Sequence, residues 1–149
     1  MITLNLIIGG LSLAAAIIAA YYSRETYWSN KTPKIVLESP FNDSLEMRNI
    51  GTDIAKSIVD SNGVLKNLPH ELWPYTGVYD YMREKNPGIV KSVGIEDHKR
   101  PKPSDSVVVR VEYCNSSGDK FFTEVKITRS DIPTGQRFSS IETLRWGRA

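Results

Sequence analysis

Ser106–Thr128 reads SVVVRVEYCNSSGDKFFTEVKIT. Its first part alternates, with Val107, Val109, Val111 and Tyr113 on one side and Val108, Arg110, Glu112 and Cys114 on the other. NSSGD then supplies turn residues, Asn115 and Gly118 among them. KFFTEVKIT alternates again, Phe121, Thr123, Val125 and Ile127 against Phe122, Glu124 and Lys126. Two period-two runs around a short turn predict a β-hairpin. One face is apolar and the other largely charged, as in a sheet that covers a core on one side only.

Working outward, short β-branched or alternating runs recur toward the N-terminus. PKIVLESP (33–40) reads as a strand, and its flanking prolines favour a sheet edge. SLEMRNIG (44–51) sets Leu45, Met47 and Asn49 against Glu46, Arg48 and Ile50, and Gly51 ends it. DIAKSIVD (53–60) sets Ile54, Lys56 and Ile58 against Ala55, Ser57 and Val59 between two turn signals. The region from Gly63 to Gly94 is less regular. NLPHELWPYTG (67–77) reads as loop, VYDYMREKN (78–86) as a turn or two of helix, and IVKSVGIE (89–96) as a strand. DHKRPKPSD (97–105) is a charged, extended connection. After the hairpin, Pro133-Thr134-Gly135 marks a turn, and a short mixed tail follows with Trp146 between arginines. Short strands with frequent turns predict an antiparallel β-sandwich of immunoglobulin-like size. An α+β domain with a helix at Val78–Asn86 is the alternative.

Leu45–Asp60, LEMRNIGTDIAKSIVD, resembles a pattern of small single-pass bacterial proteins with an N-terminal anchor and a β-sandwich. In that pattern a strand ending Arg-Asn-φ-Gly (here Arg48, Asn49, Ile50, Gly51) leads to Ala-Lys-x-φ (here Ala55, Lys56, Ile58). The hairpin VRVEYCNSSGDKFFTEVKI is similar to their closing strands. The resemblance implies a fold and an anchored topology, and it carries no activity. In physical terms, Gly51 allows a positive φ between strands, and Asn49 can bond local backbone.

The anchor itself is Ile2–Tyr22, ITLNLIIGGLSLAAAIIAAYY, with no Asp, Glu, Lys, Arg or His. As a helix it is about 30 Å long, the thickness of a bilayer's hydrocarbon core. A signal peptide would need a positive n-region and a shorter apolar run, so an uncleaved transmembrane helix is expected. Asn5, Gly9, Ser12, Ala16 and Ala19, spaced four, three, four and three apart, share one helical face. Small residues let two backbones approach, so this face is read as a helix-packing face. Tyr21, Tyr22 and Trp28, with Tyr27 nearby, fit a membrane-interface aromatic belt. Arg24, Lys31 and Lys34 follow the run and no basic side chain precedes it. The expectation is therefore an N-terminus outside and a cytoplasmic body. The domain plan is residues 1–22 as transmembrane helix, 23–33 as a polar stalk and 34–149 as one β-domain.

The 149-residue chain has a net charge of +2 and 24% charged residues, which gives no argument for nucleic acid. Its single cysteine, Cys114, excludes an internal disulfide framework. Asn30, Asn42 and Asn115 begin Asn-x-Ser/Thr triplets. The two histidines, His70 (beside Glu71) and His98, lie in loops, with no HExxH and no cysteine pair to make a metal site. No GxSxG, phosphate loop or dinucleotide fingerprint occurs. No cofactor or small-molecule substrate is expected, and an enzyme reading would rest on His70, Glu71 and Cys114 alone. The basic run His98–Pro103 could meet anionic headgroups if the body is cytoplasmic, or serve as a solvated linker. In the tail, Arg145, Trp146 and Arg148 are residue types of binding hot spots and form a candidate docking site. The expected function is a non-enzymatic, membrane-anchored interaction module. Its expected partners are lipid and another transmembrane protein or a second copy, as in an accessory or assembly subunit of a membrane complex. A structural protein of a membrane-containing virion and an extracytoplasmic adhesion module are the alternatives.

Overall fold

The computed structural model describes the backbone of residues 2–39, 45–75, 90–130 and 138–149, and their side chains except those of residues 2–8, 138 and 139. Two compact units divide the chain, Met1–Lys31 and Thr32–Ala149.

The first unit is one helix, α1, Ile2–Asn30. Leucine and alanine favour it and no proline interrupts it before Pro33, which has no N–H to continue the ladder. The last turn tightens, with Lys31 N–H donating to Trp28 O at 3.2 Å. The stretch read as a stalk is therefore helical as far as Asn30. Among the described residues, no helix is long and apolar enough to cross a membrane. The part of α1 whose apolar side chains are described, Gly9–Tyr22, is about 21 Å long and short of a hydrocarbon core of about 30 Å. The expected complete span over Ile2–Tyr22 is thus not met by the described residues, and Asn5 keeps a place in the helix with its side chain outside them.

The second unit is mainly β. Its strands, among the described residues, are β1 (Ile35–Glu38), β2 (Leu45–Asn49), β3 (Ala55–Asp60), β4 (Leu65–Lys66), β5 (Glu71–Leu72), β6 (Val90–Ile95), β7 (Ser106–Cys114), β8 (Lys120–Arg129) and β9 (Phe138–Arg148). They form two antiparallel sheets, ordered β1-β2-β6-β4 and β5-β3-β7-β8-β9. β1 lies at a sheet edge, as its prolines require. The alternative helix at Val78–Asn86 lies outside the described residues.

The hairpin forms as its alternation predicts, with Val109 opposite Val125, Val111 opposite Thr123 and Tyr113 opposite Phe121. All six of these side chains are buried. Leu37, Leu45 and Met47 are buried on the first sheet. Asn115 closes the turn. Its Oδ1 accepts from Ser117 N–H and Asp119 N–H, and its Nδ2 donates to Asp119 Oδ2 at 2.9 Å. Gly118 there takes φ +90°, which the turn requires. Asn115 is buried, so its triplet offers no exposed amide for a glycan.

Two strands carry a bulge that shifts their alternation. In β3 the register with β7 shifts between Lys56 and Val59, where Ser57 has φ +53°. Ala55 and Ile58 are therefore both buried, while Val59 is exposed. In β9 the partners of Val125 and Glu124 are Thr143 and Arg145, so Leu144 is the extra residue. That phase shift hides the pattern of a full-length strand in what reads as a short mixed tail. The short β4 and β5 lie in or beside the segment read as loop, with prolines at 69 and 74 bounding β5.

The Arg-Asn-φ-Gly segment ends β2 at a junction. Asn49 is fully buried, and its Oδ1 accepts from Lys34 N–H and Gly51 N–H, each at 3.0 Å. Its Nδ2 donates to Asp53 O at 2.7 Å and Leu72 O at 3.1 Å. Gly51 is not in a positive-φ conformation, so the glycine serves close approach instead. A Cβ there would collide with Thr32 O and lie 2.5 Å from Lys34 N and 2.7 Å from the Pro33 carbonyl carbon. These neighbours are backbone and cannot swing aside. Gly51→Ala is expected to lower the stability of the domain by about 1–3 kcal/mol, seen as a lower urea midpoint at unchanged slope.

Candidate interaction surfaces

The tail residues read as a docking site are built into the second sheet, and the two faces of that sheet use them differently. Arg148 is opposite Phe121, Trp146 opposite Thr123 and Arg145 opposite Glu124. Trp146 sits on the side of the core. Its Nε1–H donates to the Tyr113 hydroxyl at 3.0 Å, and the Lys34 ammonium lies 5.1 Å from its ring centre. The ring is still 39% exposed, so it is both fixed and presented.

Tyr113 is the centre of this arrangement. Its hydroxyl also accepts from Ile35 N–H at 3.2 Å and lies 2.9 Å from Thr123 Oγ1. The Thr123 hydroxyl gives its proton to Ile35 O at 3.1 Å, so Tyr113 donates to Thr123. Burial pushes the Tyr113 phenol above its ordinary pKa, against the hydrogen bonds with Thr123, Ile35 and Trp146 that favour the ionised form.

On the other face Arg145 holds Glu124 in a fork, Nε to Oε2 at 2.7 Å and Nη2 to Oε1 at 2.8 Å. Arg110 reaches Glu124 Oε1 at 2.9 Å and Glu112 Oε1 at 2.8 Å, and its guanidinium lies 4.1 Å from the Phe122 ring centre. Arg145, with a smaller part from Arg110, holds the Glu124 carboxyl below the usual range against the desolvation that would raise it. Arg110 and Ser61 do the same for Glu112. The charged side of the hairpin is thus a paired ladder.

A third surface lies where the domain begins. Thr52 N–H donates to Thr32 O at 2.9 Å and Ile50 N–H to Lys34 O at 2.8 Å, which fastens Thr32 beside Gly51. An isolated bridge pairs Asn49 with Pro74, and Tyr75 N–H donates to Asn49 O at 2.7 Å. This brings the segment Trp73–Tyr75 alongside Arg48–Ile50. Trp73 is 54% exposed and Ile50 47%, and Arg48 stacks 5.0 Å from the Tyr75 ring centre. Reading NLPHELWPYTG as loop missed this group. Its one sequence signal is a tryptophan in a proline-bound segment.

On α1, Gly9, Ser12, Ala16 and Ala19 are exposed, and so are Leu11, Leu13, Ile17 and Ile18. Tyr21 and Tyr22 are exposed and touch edge to face at 5.9 Å, as do Tyr27 and the half-buried Trp28 at 5.1 Å.

The catalytic candidates are dispersed. His70 is exposed just before β5, and His98 is exposed in a 3-10 turn (Asp97–Lys99) at the end of the domain away from Thr32. Cys114 lines a depression of about 170 Å³ with Ser57, Val59, Glu112, Tyr113, Lys120 and Ala149, and neither histidine reaches it. Among the described residues, no three His, Cys, Asp or Glu side chains group closely enough to hold a metal ion. The basic run is tied down at that same far end. Lys99 Nζ donates to Asn62 O at 2.7 Å, and Pro101 O accepts from Arg129 Nη1 at 3.1 Å.

Comparison with protein-family models, with curated proteins and with solved structures gave no match.

Removing the Tyr113 hydroxyl would leave the buried Ile35 N–H without its acceptor. Tyr113→Phe is expected to cost about 1–3 kcal/mol in urea unfolding. The glutamate ladder gives a pH test. A carboxyl whose folded pKa is lowered adds stability above its unfolded pKa, and that stability is lost as pH falls through the folded value. Wild type and Glu124→Gln should therefore differ in urea midpoint at neutral pH and converge in acid, below about pH 4.

Proposed function

We propose that the chain is a non-enzymatic interaction module anchored to a membrane through α1, an accessory or assembly subunit of a larger membrane complex. The observation that carries this reading is the uncharged sequence run Ile2–Tyr22, together with the outward-facing Leu11, Leu13, Ile17 and Ile18 of α1. In water such a surface is costly, whereas in lipid it is at home. Gly9, Ser12, Ala16 and Ala19, with Asn5 above them, are the face for a partner helix or a second copy. Arg24, Lys31 and Lys34 favour a cytoplasmic body. The two sheets are read as an immunoglobulin-like β-sandwich, which supports docking to the partner's soluble part through Arg145, Trp146 and Arg148. The resemblance to small single-pass bacterial proteins belongs to the same proposal.

The test is purification of the full-length protein from its native membrane in mild detergent, with the mass and composition of the product. A stoichiometric partner or a defined homo-oligomer is expected. Gly9→Ile combined with Ala16→Ile should abolish that association while the protein still resists alkaline carbonate extraction. Release of the wild type by carbonate would sink the anchoring, and an unchanged complex in the double variant would sink the packing face.

A further inference from the structure

A sheet leaves unpaired backbone groups at its edges, and among the described residues most edges of the β domain are short. The first sheet ends in β1, of 4 residues between Pro33 and Pro40, and in β4, of 2. The second ends on one side in β5, of 2 residues. Short edges bounded by proline recruit poorly. The remaining edge is β9, of 11 residues, with no proline and no lysine. Among the described residues, β9 pairs with β8 on one side and with no strand on the other.

The bulge at Leu144 decides what such an edge can pair with. Lys126 and Glu124 lie on the charged face of the hairpin, and their partners in β9 are Glu142 and Arg145. Glu142 and Arg145 therefore share that face. Without the extra residue, positions three apart would face opposite ways. Glu142 is exposed and, among the described residues, makes no hydrogen bond or ion pair. Arg145 grips Glu124 with Nε and Nη2, which leaves Nη1 for a second carboxylate.

We propose that β9 pairs antiparallel with β9 of a second copy about a two-fold axis, with Glu142 of each chain opposite Arg145 of the other. The inference rests on the docking reading of Arg145, Trp146 and Arg148 above and names the partner. Charge complementarity argues for a second copy. One outer row then runs through Lys126 and Glu142 of one chain and on through Arg145, Glu124 and Arg110 of the other, alternating in sign at every step. On the core side the same register sets Ile141 opposite Trp146, whose ring is partly exposed in the single chain. A slip by one residue sets Arg145 against a residue of the other face and loses the match. The pairing is also closed. The joined sheet ends in β5 on both sides, so no long edge is left to recruit a third chain.

The experiment uses the full chain in mild detergent, with Cys114→Ser to remove the native thiol. In the paired strands Thr143 lies beside its own copy at the axis, whereas Lys102 is exposed and outside β9. Thr143→Cys should form a disulfide-linked dimer under mild oxidation several-fold faster than Lys102→Cys. Adding Glu142→Arg or Arg145→Glu should each slow that cross-link several-fold, because like charges then face each other. Mixing the two charge variants should restore it as the mixed dimer, told apart by a size tag on one chain. Failure of the mixture to restore the cross-link overturns the pairing. If the protein purifies as a defined complex while the cross-link at 143 is no faster than at 102, the pairing is overturned and the accessory-subunit reading stands. A monomer with no partner overturns both.

Discussion

The hydroxyl of Tyr113 is the constraint on which the β domain depends. It accepts two hydrogen bonds, from Ile35 N–H and Trp146 Nε1–H, and donates one to Thr123. Its capacity is filled. Ile35 belongs to one sheet, and Tyr113, Thr123 and Trp146 to three adjacent strands of the other. Thr123 closes the circuit by donating to Ile35 O. A buried hydroxyl is tolerable only when it is bonded, so this group stabilises one relative placement of β1 over β7, β8 and β9 and penalises others.

Asn49 applies the same logic at the end where the chain enters the domain. Both amide groups of its buried side chain are used, on backbone from four separate places: Lys34, Gly51, Asp53 and Leu72. The entering chain is thereby welded to the end of β2 and to β5. Gly51 is needed because the backbone of the single segment Thr32–Lys34 leaves no room for a Cβ. This end of the domain bears Ile50 and Trp73 on its surface.

The outer face of the second sheet is organised differently. Arg110, Glu112, Glu124 and Arg145 neutralise one another across β7, β8 and β9. Glu124, the shared partner, is buried while its arginines are partly exposed, and the pairs fix strand register and discourage open-ended pairing. The chain thus separates its surfaces by chemistry. One sheet face is charged and self-satisfied, one end of the domain is aromatic and exposed, and the helix is apolar on its outside.

Several features were legible in the sequence alone. The hairpin and β2 follow from period-two patterning and turn residues, and β1 and β6 from short apolar or β-branched runs, because each is a local signal that the strand itself satisfies. The uncharged run Ile2–Tyr22 and its small-residue face are equally plain in the letters. The tertiary structure decided the rest. Ser57 and Leu144 are bulges that shift phase by one residue, so Ala55 joins Ile58 in the core and the tail becomes a full strand, which no pattern of fixed period can register. The sequence points to freedom in φ at Gly51, whereas the requirement is space beside a segment some twenty residues earlier. Trp146 reads as a loose aromatic between arginines, and Ile50 and Trp73 as residues of separate segments. Their roles depend on partners distant in the chain, and only the folded backbone brings those partners within hydrogen-bonding or packing distance.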